Sequence, residues 1–213
     1  MADSSLTSSL TSSLTSSLTS DSPLFGYSQF FEDTQLREVT SLQLVSMAVP
    51  IGGTSALDDR LQSLWNVNFP QAGKCIRAND ASIAGFKTTI ALMGLQADQC
   101  LISIDSDLLA DHQAFAHLKT ALAETAYITD QSDSLAVLDL QGSLAQPALE
   151  RICMLDLSLF DSSTVARTVM EHLSVVIEIP SSQHARLYSP RSSAKSFLHA
   201  IQTSLSNVSS QST

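Results

Sequence analysis

Basic residues are few in this sequence for its length. Eleven Lys and Arg stand against 21 Asp and Glu in 213 residues, a formal net charge of −10, and no basic run occurs anywhere. Nucleic acid and anionic membrane both need a positive footprint, so neither is expected as a partner. Charged residues of either sign make up only 15% of the chain, against roughly 25% in ordinary domains. Much of the polar surface must therefore be Ser, Thr, Gln and Asn, a surface that suits burial in a complex. The acidic residues are scattered, as solubility charge is.

Cysteine and glycine are scarce as well. Cys75, Cys100 and Cys153 are odd in number and widely spaced, with no CxxC pair. That pattern fits a reducing compartment and predicts three small buried thiols, with no metal bound in this chain. The N-terminus lacks a basic region followed by an apolar stretch, and no run approaches the ~20 apolar residues of a spanning helix, so a cytoplasmic location is expected. Neither GxGxxG nor a P-loop is present, which argues against a dinucleotide or nucleoside triphosphate bound here; Gly52-Gly53 alone reads as a turn.

Groups that could carry chemistry are present but dispersed. Of His112, His117, His172, His184 and His199, only His112 and His117 are close, and their spacing of five places them on different helix faces, unlike the i, i+4 pair of a His-based zinc site. These two read as surface residues, and His172 falls on the polar side of its strand. No GxSxG elbow supports a serine nucleophile. Asp98, Asp130, Asp133 and Asp139 are potential general acids, but carboxylates beside strand ends most often cap turns. No catalytic, cofactor-binding or metal-site residue is therefore assigned.

What the chain does have is 44% hydrophobic residues, enough for a real core. Residues Ser4 to Thr19 are four copies of Ser-Ser-Leu-Thr, whose hydroxyls compete for backbone hydrogen bonds. Residues 1–22 are expected to be a disordered repeat tail and 207–213 another, around one domain at 23–206 with halves of about 23–125 and 126–206.

Within that domain the hydrophobic period switches between two and about 3.6. Leu36 to Val49 reads as one bulged or doubly buried strand. Ser55 and Asp58 suggest a capping box before a helix bearing Leu57, Leu61, Leu64 and Trp65. Phe86 to Leu92 and Cys100 to Ile104 alternate as paired strands across a turn centred on Gly94. A helix is expected over about 111–124, then a strand at Leu135 to Leu140, with Asp130 to Asp133 as a polar hairpin connection. Ser143 is a candidate cap for a helix holding Pro147 in its first turn. Leu173 to Ile179 is a strand, Arg186 to Tyr188 a short one, and a last helix follows from about Pro190 with Ala194, Phe197, Leu198, Ile201 and Leu205 inward. The sum is an α+β fold, antiparallel sheets with helices on one face, in two pseudo-repeated split βαβ-like halves.

Several segments, taken in order, resemble the gamma subunit of heterotetrameric sarcosine oxidase. They are Ser22-Pro23-Leu24; Leu36-Arg37-Glu38; Met93-Gly94 followed by Asp98-Gln99-Cys100-Leu101, with Cys100 where that family has tryptophan; Asp130 to Asp133; Val137 to Gly142; Cys153 followed by Leu155-Asp156-Leu157, with Met154 in place of proline; and Tyr188 to Ile201. The resemblance implies a divergent, non-catalytic gamma subunit whose fold looks like the folate-binding part of aminomethyltransferases. Its expected partners are the alpha, beta and delta subunits, which would carry FAD, FMN, NAD and zinc. Together such a complex demethylates sarcosine to glycine, passes the one-carbon unit to tetrahydrofolate or releases formaldehyde, and forms hydrogen peroxide. A stand-alone folate-binding or aminomethyltransferase-like module is the alternative.

Overall fold

In a computed structural model, residues 21–105, 109 and 113–210 are described. The Ser-Ser-Leu-Thr repeat and His112 lie outside them. The strands are β1 (Ser28–Phe31), β2 (Thr34–Glu38), β3 (Leu42–Ala48), β4 (Cys75–Ile83), β5 (Phe86–Gln96), β6 (Gln99–Asp105), β7 (Tyr127–Asp130), β8 (Leu135–Gln141), β9 (Val165–Met170), β10 (Leu173–Ser181) and β11 (His184–Pro190). The helices are α1 (Thr54–Trp65), α2 (Gln113–Ala121), α3 (Ala145–Glu150) and α4 (Ala194–Ser209).

All strand pairs are antiparallel, in a six-stranded sheet ordered β1-β2-β8-β11-β10-β9 and a five-stranded sheet ordered β4-β5-β6-β3-β7. The α+β expectation holds, with one addition. Each sheet has helices on one face, and its other face packs on the other sheet.

Strand alternation explains these layers. In β5, Ile90 and Leu92 face the core that holds Leu57, Leu61 and Trp65 of α1 and Ala114 and Leu118 of α2, while Ala91 and Met93 face the second sheet. In β8, Ala136, Leu138 and Leu140 join Ala148 and Leu149 of α3 and Phe197 and Ile201 of α4, while Val137 points inward to the first sheet. The core between the sheets gathers Leu44, Met93 and Leu101 from one side and Val137, Val165, Val176 and Tyr188 from the other.

The single strand expected from Leu36 to Val49 is two strands in different sheets. Val39, Thr40 and Ser41 carry the chain across, and no Gly or Pro marks the crossing. Asp130 to Asp133 is likewise a crossing between β7 and β8, which lie in different sheets, and not a hairpin. The sheets thus do not divide at residue 125. β1 and β2 join the C-terminal strands, and β7 joins the N-terminal ones. Each sheet is built around one run of the same order, β3-α1-β4-β5-β6-α2 and β8-α3-β9-β10-β11-α4, with β7 added beside β3 in one and β2, then β1, added beside β8 in the other.

Several local expectations change. Gly94 lies inside β5 at a register shift, not in the turn. A Cβ there would overlap the Gln71 carbonyl oxygen and sit 2.8 Å from its carbon, so glycine is required by a close backbone approach. α1 is capped by Gly53 without a side-chain bond, and Asp58 instead accepts from Phe69 N at 2.7 Å. Ser143 does not cap α3. It donates to Asp33 Oδ1 at 2.7 Å, while Thr34 Oγ1 accepts from Leu144 N at 2.9 Å. The last helix runs through Ser209, past the Asn207 where a tail was expected.

Candidate functional site

The inner face of the six-stranded sheet is not wholly apolar. Asp139 of β8, Glu178 of β10 and Arg186 and Tyr188 of β11 all point toward it, because each alternates with residues that face α3 and α4. They form a connected ionic cluster. Asp139 Oδ1 and Oδ2 accept from Arg186 Nε at 2.7 Å and Nη2 at 3.3 Å, a two-point contact, and Arg37 Nη2 of β2 donates to Oδ2 at 2.7 Å. His184 Nε2 lies 3.1 Å from Oδ1 but off the line of a hydrogen bond. Glu178 Oε1 accepts from Tyr188 Oη at 2.7 Å and lies 3.7 Å from Arg186 Nη1. Its Oε2 pairs with Arg77 of β4 and faces the Cys75 Sγ at 3.8 Å.

Both carboxylates are out of water: Glu178 is 0% and Asp139 2% exposed. Burial alone would raise the Asp139 carboxyl, but His184 and Arg186 outweigh it and hold it at about 2. Burial first, and then the Glu178 charge, push the Cys75 thiol up to about 12 and raise the Tyr188 phenol well above its usual range. Burial alone raises the Cys100 thiol as well. Near neutral pH, therefore, Asp139 stays ionised and Cys75 and Tyr188 stay protonated. The arrangement locks charges in place and suits neither proton transfer nor thiolate chemistry.

The other groups singled out in the sequence do not join it. His117 is half-buried on α2, His199 is exposed on α4, and His172 is exposed in the β9–β10 turn at φ 67° rather than on a strand. Asp130 Oδ1 accepts from Ser132 N at 3.0 Å, as a turn-capping carboxylate does, and Asp133 lies 3.9 Å from Arg191 Nη1. Val49 N donates to the Asp98 carbonyl, 2.9 Å away. Asp139, expected among the turn caps, is instead the centre of the ionic cluster, with His184 against it. Among the described residues, no group of three His, Cys, Asp or Glu is placed to hold a metal, and no helix is long and apolar enough to cross a membrane. Cys75, Cys100 and Cys153 are buried free thiols, as expected.

Two clefts open where the sheets meet, and the second is lined by a member of the cluster, Tyr188. One of about 150 Å³, where the chain crosses between sheets, is bordered by Glu38, Gln43, Asp133 and Arg191. Glu38 is engaged there in holding the N-terminal turn, accepting from Leu24 N at 3.1 Å, from Gly26 N at 2.8 Å and from the Ser22 hydroxyl. The other, about 270 Å³, opens at the seam of the two sheets between Ser46, Gln131, Arg167 and the Tyr188 ring.

This arrangement of sheets and helices has solved counterparts. The fold matches a chain of a heterotetrameric sarcosine oxidase. That enzyme comes from Corynebacterium sp. U-96 and was solved in complex with pyrrole 2-carboxylate; the match has a TM-score of 0.70 at 21% identity and covers 88% of this chain and 95% of that one. The glycine cleavage system aminomethyltransferase T of Bartonella henselae matches with a TM-score of 0.63 at 13% identity over 79% of this chain, which spans 45% of the transferase. No protein-family profile matches the chain, and no curated protein matches it in sequence. At these identities the likeness establishes the fold.

Proposed function

We propose that the chain is the gamma subunit of a heterotetrameric sarcosine oxidase, a non-catalytic component that supports flavoprotein partners. The observation that carries the reading is the near end-to-end match to one chain of such an enzyme, 88% of this chain against 95% of that one. It is supported by an ionic cluster whose two carboxylates are buried and already paired with arginines, and by large apolar side chains left in water, among them Phe25, Ile51, Tyr127, Met154 and Leu159. Apolar surface of that kind suits a partner. In this proposal FAD, FMN, NAD and zinc reside in the alpha, beta and delta subunits, and the complex works in the cytoplasm. It demethylates sarcosine to glycine, delivers the one-carbon unit to tetrahydrofolate or as formaldehyde, and reduces oxygen to hydrogen peroxide. The shared strand-helix run becomes an internal repeat of one unit.

Co-expression with the genes for the other three subunits tests this. The four chains are expected to co-purify and to produce peroxide from sarcosine, and omitting this chain should abolish assembly. Assembly and full activity without it would overturn the proposal, as would sarcosine turnover by the isolated chain. The likeness to aminomethyltransferase T favours a second reading, a folate-binding module active alone. Calorimetric titration of the isolated chain with tetrahydrofolate separates the two: saturable binding supports the module, silence the subunit.

A further inference from the structure

The two sheets do not cover each other fully, and the overhang has a consistent chemistry. The core between them ends at Val39, Leu135 and Val137, leaving outside it the inner face of β1, β2 and the far ends of β8 and β11. On that uncovered face the register aligns Ser28 with Arg37 and Phe30 with Gln35, and Gln35 Nε2 donates to Ser28 Oγ at 3.0 Å. Phe30 is 65% exposed, and the side chain of Arg37 is 44% exposed. Behind Arg37 lie Arg186 and His184, and the one carboxylate that faces them from β8, Asp139, is buried beneath. Glu178 of β10 meets Arg186 farther in and is matched by Arg77 of β4. Glu32 and Asp33, at the β1–β2 turn, are held by Ser209 and Ser143.

The overhang therefore offers water an aromatic ring and a cation, on a chain whose formal charge is −10. β1 is also the last strand of its sheet, with a neighbour on one side only among the described residues. We propose that this face and edge receive an extended acidic segment of a partner protein, laid beside β1 with apolar side chains against Phe30 and carboxylates toward Arg37. Main-chain pairing along an open edge supplies affinity, and alternate side chains supply selection. A strand added there lies about 10 Å from β2, so a carboxylate on it engages Arg37 when that guanidinium turns from Asp139 of β8, which Arg186 continues to hold at two points. Acidic chains meet net repulsion from a chain of formal charge −10, and the exposed Arg37 beside Phe30 offsets it at this face. The inference names a docking surface and stands apart from which enzyme the partner belongs to.

Fluorescence anisotropy on the full chain tests it, with a labelled short peptide alternating glutamate and leucine as the probe. Saturable binding is expected, weakened by about tenfold or more in Arg37→Glu and in Phe30→Ser, and unchanged in Lys119→Glu on distant α2. A lysine–leucine peptide should not bind. Phe30→Ser leaves the Asp139 cluster untouched, so its result stands even where Arg37→Glu impairs folding. Absence of binding, equal binding by Phe30→Ser, or equal binding of a single-stranded oligonucleotide would each overturn the proposal. None of these outcomes bears on subunit co-purification, which tests the proposed function separately.

Discussion

At Asp139 two guanidiniums and an imidazole converge on one carboxylate that water does not reach. Removing it leaves Arg186 without its two-point acceptor in a largely buried place, a loss of roughly 3 kcal/mol for Asp139→Ala. Its proton linkage has a definite sign. The folded carboxyl sits at about 2, below the ordinary aspartate value of 3.8, so its stabilisation is fully present above about pH 4 and lost as pH falls toward about pH 2. Urea titrations of wild type and Asp139→Asn should differ by about 2 kcal/mol at neutral pH and converge across that acid window. A gap that stays constant down to pH 2 would show that Asp139 does not titrate as described. Cys75 gives a second residue-scale outcome. With its thiol at about 12, the native chain should resist iodoacetamide near pH 8 and react once denaturant opens it; rapid native labelling would contradict the geometry around Glu178. These charges were visible in the sequence as single ionic residues inside apolar strand runs, Asp139 in Leu135 to Leu140, Glu178 in Val175 to Ile179 and Arg186 between Ala185 and Leu187. What periodicity could not say is that the three strands are hydrogen-bonded neighbours, and that adjacency turns isolated charges into a cluster.

Among the elements, β5, β6, β10 and α4 were legible because one face of each meets helices or sheet and the period shows it. β2 and β3 were not. A chain that passes from one sheet to another through Val39-Thr40-Ser41 keeps its apolar character on both sides, since Val39 is buried too, and so imitates a continuous strand. Gly94 was misplaced for a related reason: glycine suits a turn and a close approach equally well from sequence alone. The two roles predict different costs. Gly94→Ala drives a methyl into backbone at Gln71 and Pro70, which cannot rotate away, and should cost about 3 kcal/mol. Gly26→Ala meets nothing within 4 Å and bears only the strain of φ +69°, about 1 kcal/mol. Thermal denaturation of the two variants checks the ordering, and an equal or reversed effect would mean that the β5 bulge yields.

On the scale of the whole molecule, the third core decides whether the two sheets fold together. Leu44, Met93 and Leu101 of the five-stranded sheet are buried against Val137, Val165, Val176 and Tyr188 of the six-stranded one, and Glu178 reaches across to Arg77. The chain also crosses between sheets at 39–41 and 131–134, so the whole five-stranded sheet, Leu42 to Asp130, is inserted between β2 and β8 of the six-stranded one, which is therefore not a continuous stretch of sequence. Shared apolar surface of this extent couples the halves into one cooperative transition. The single tryptophan makes this measurable, because Trp65 sits in the core between α1 and the five-stranded sheet and reports on that side only. Its fluorescence should fall at the same urea concentration as the far-ultraviolet circular dichroism of the whole chain. Val176→Ala, in the sheet without tryptophan, creates a void in the shared core and should lower both midpoints together, by about 1 kcal/mol. If the Trp65 transition instead stays where it was while the circular dichroism splits into two steps, the sheets are independent units and the shared core does not hold them as one.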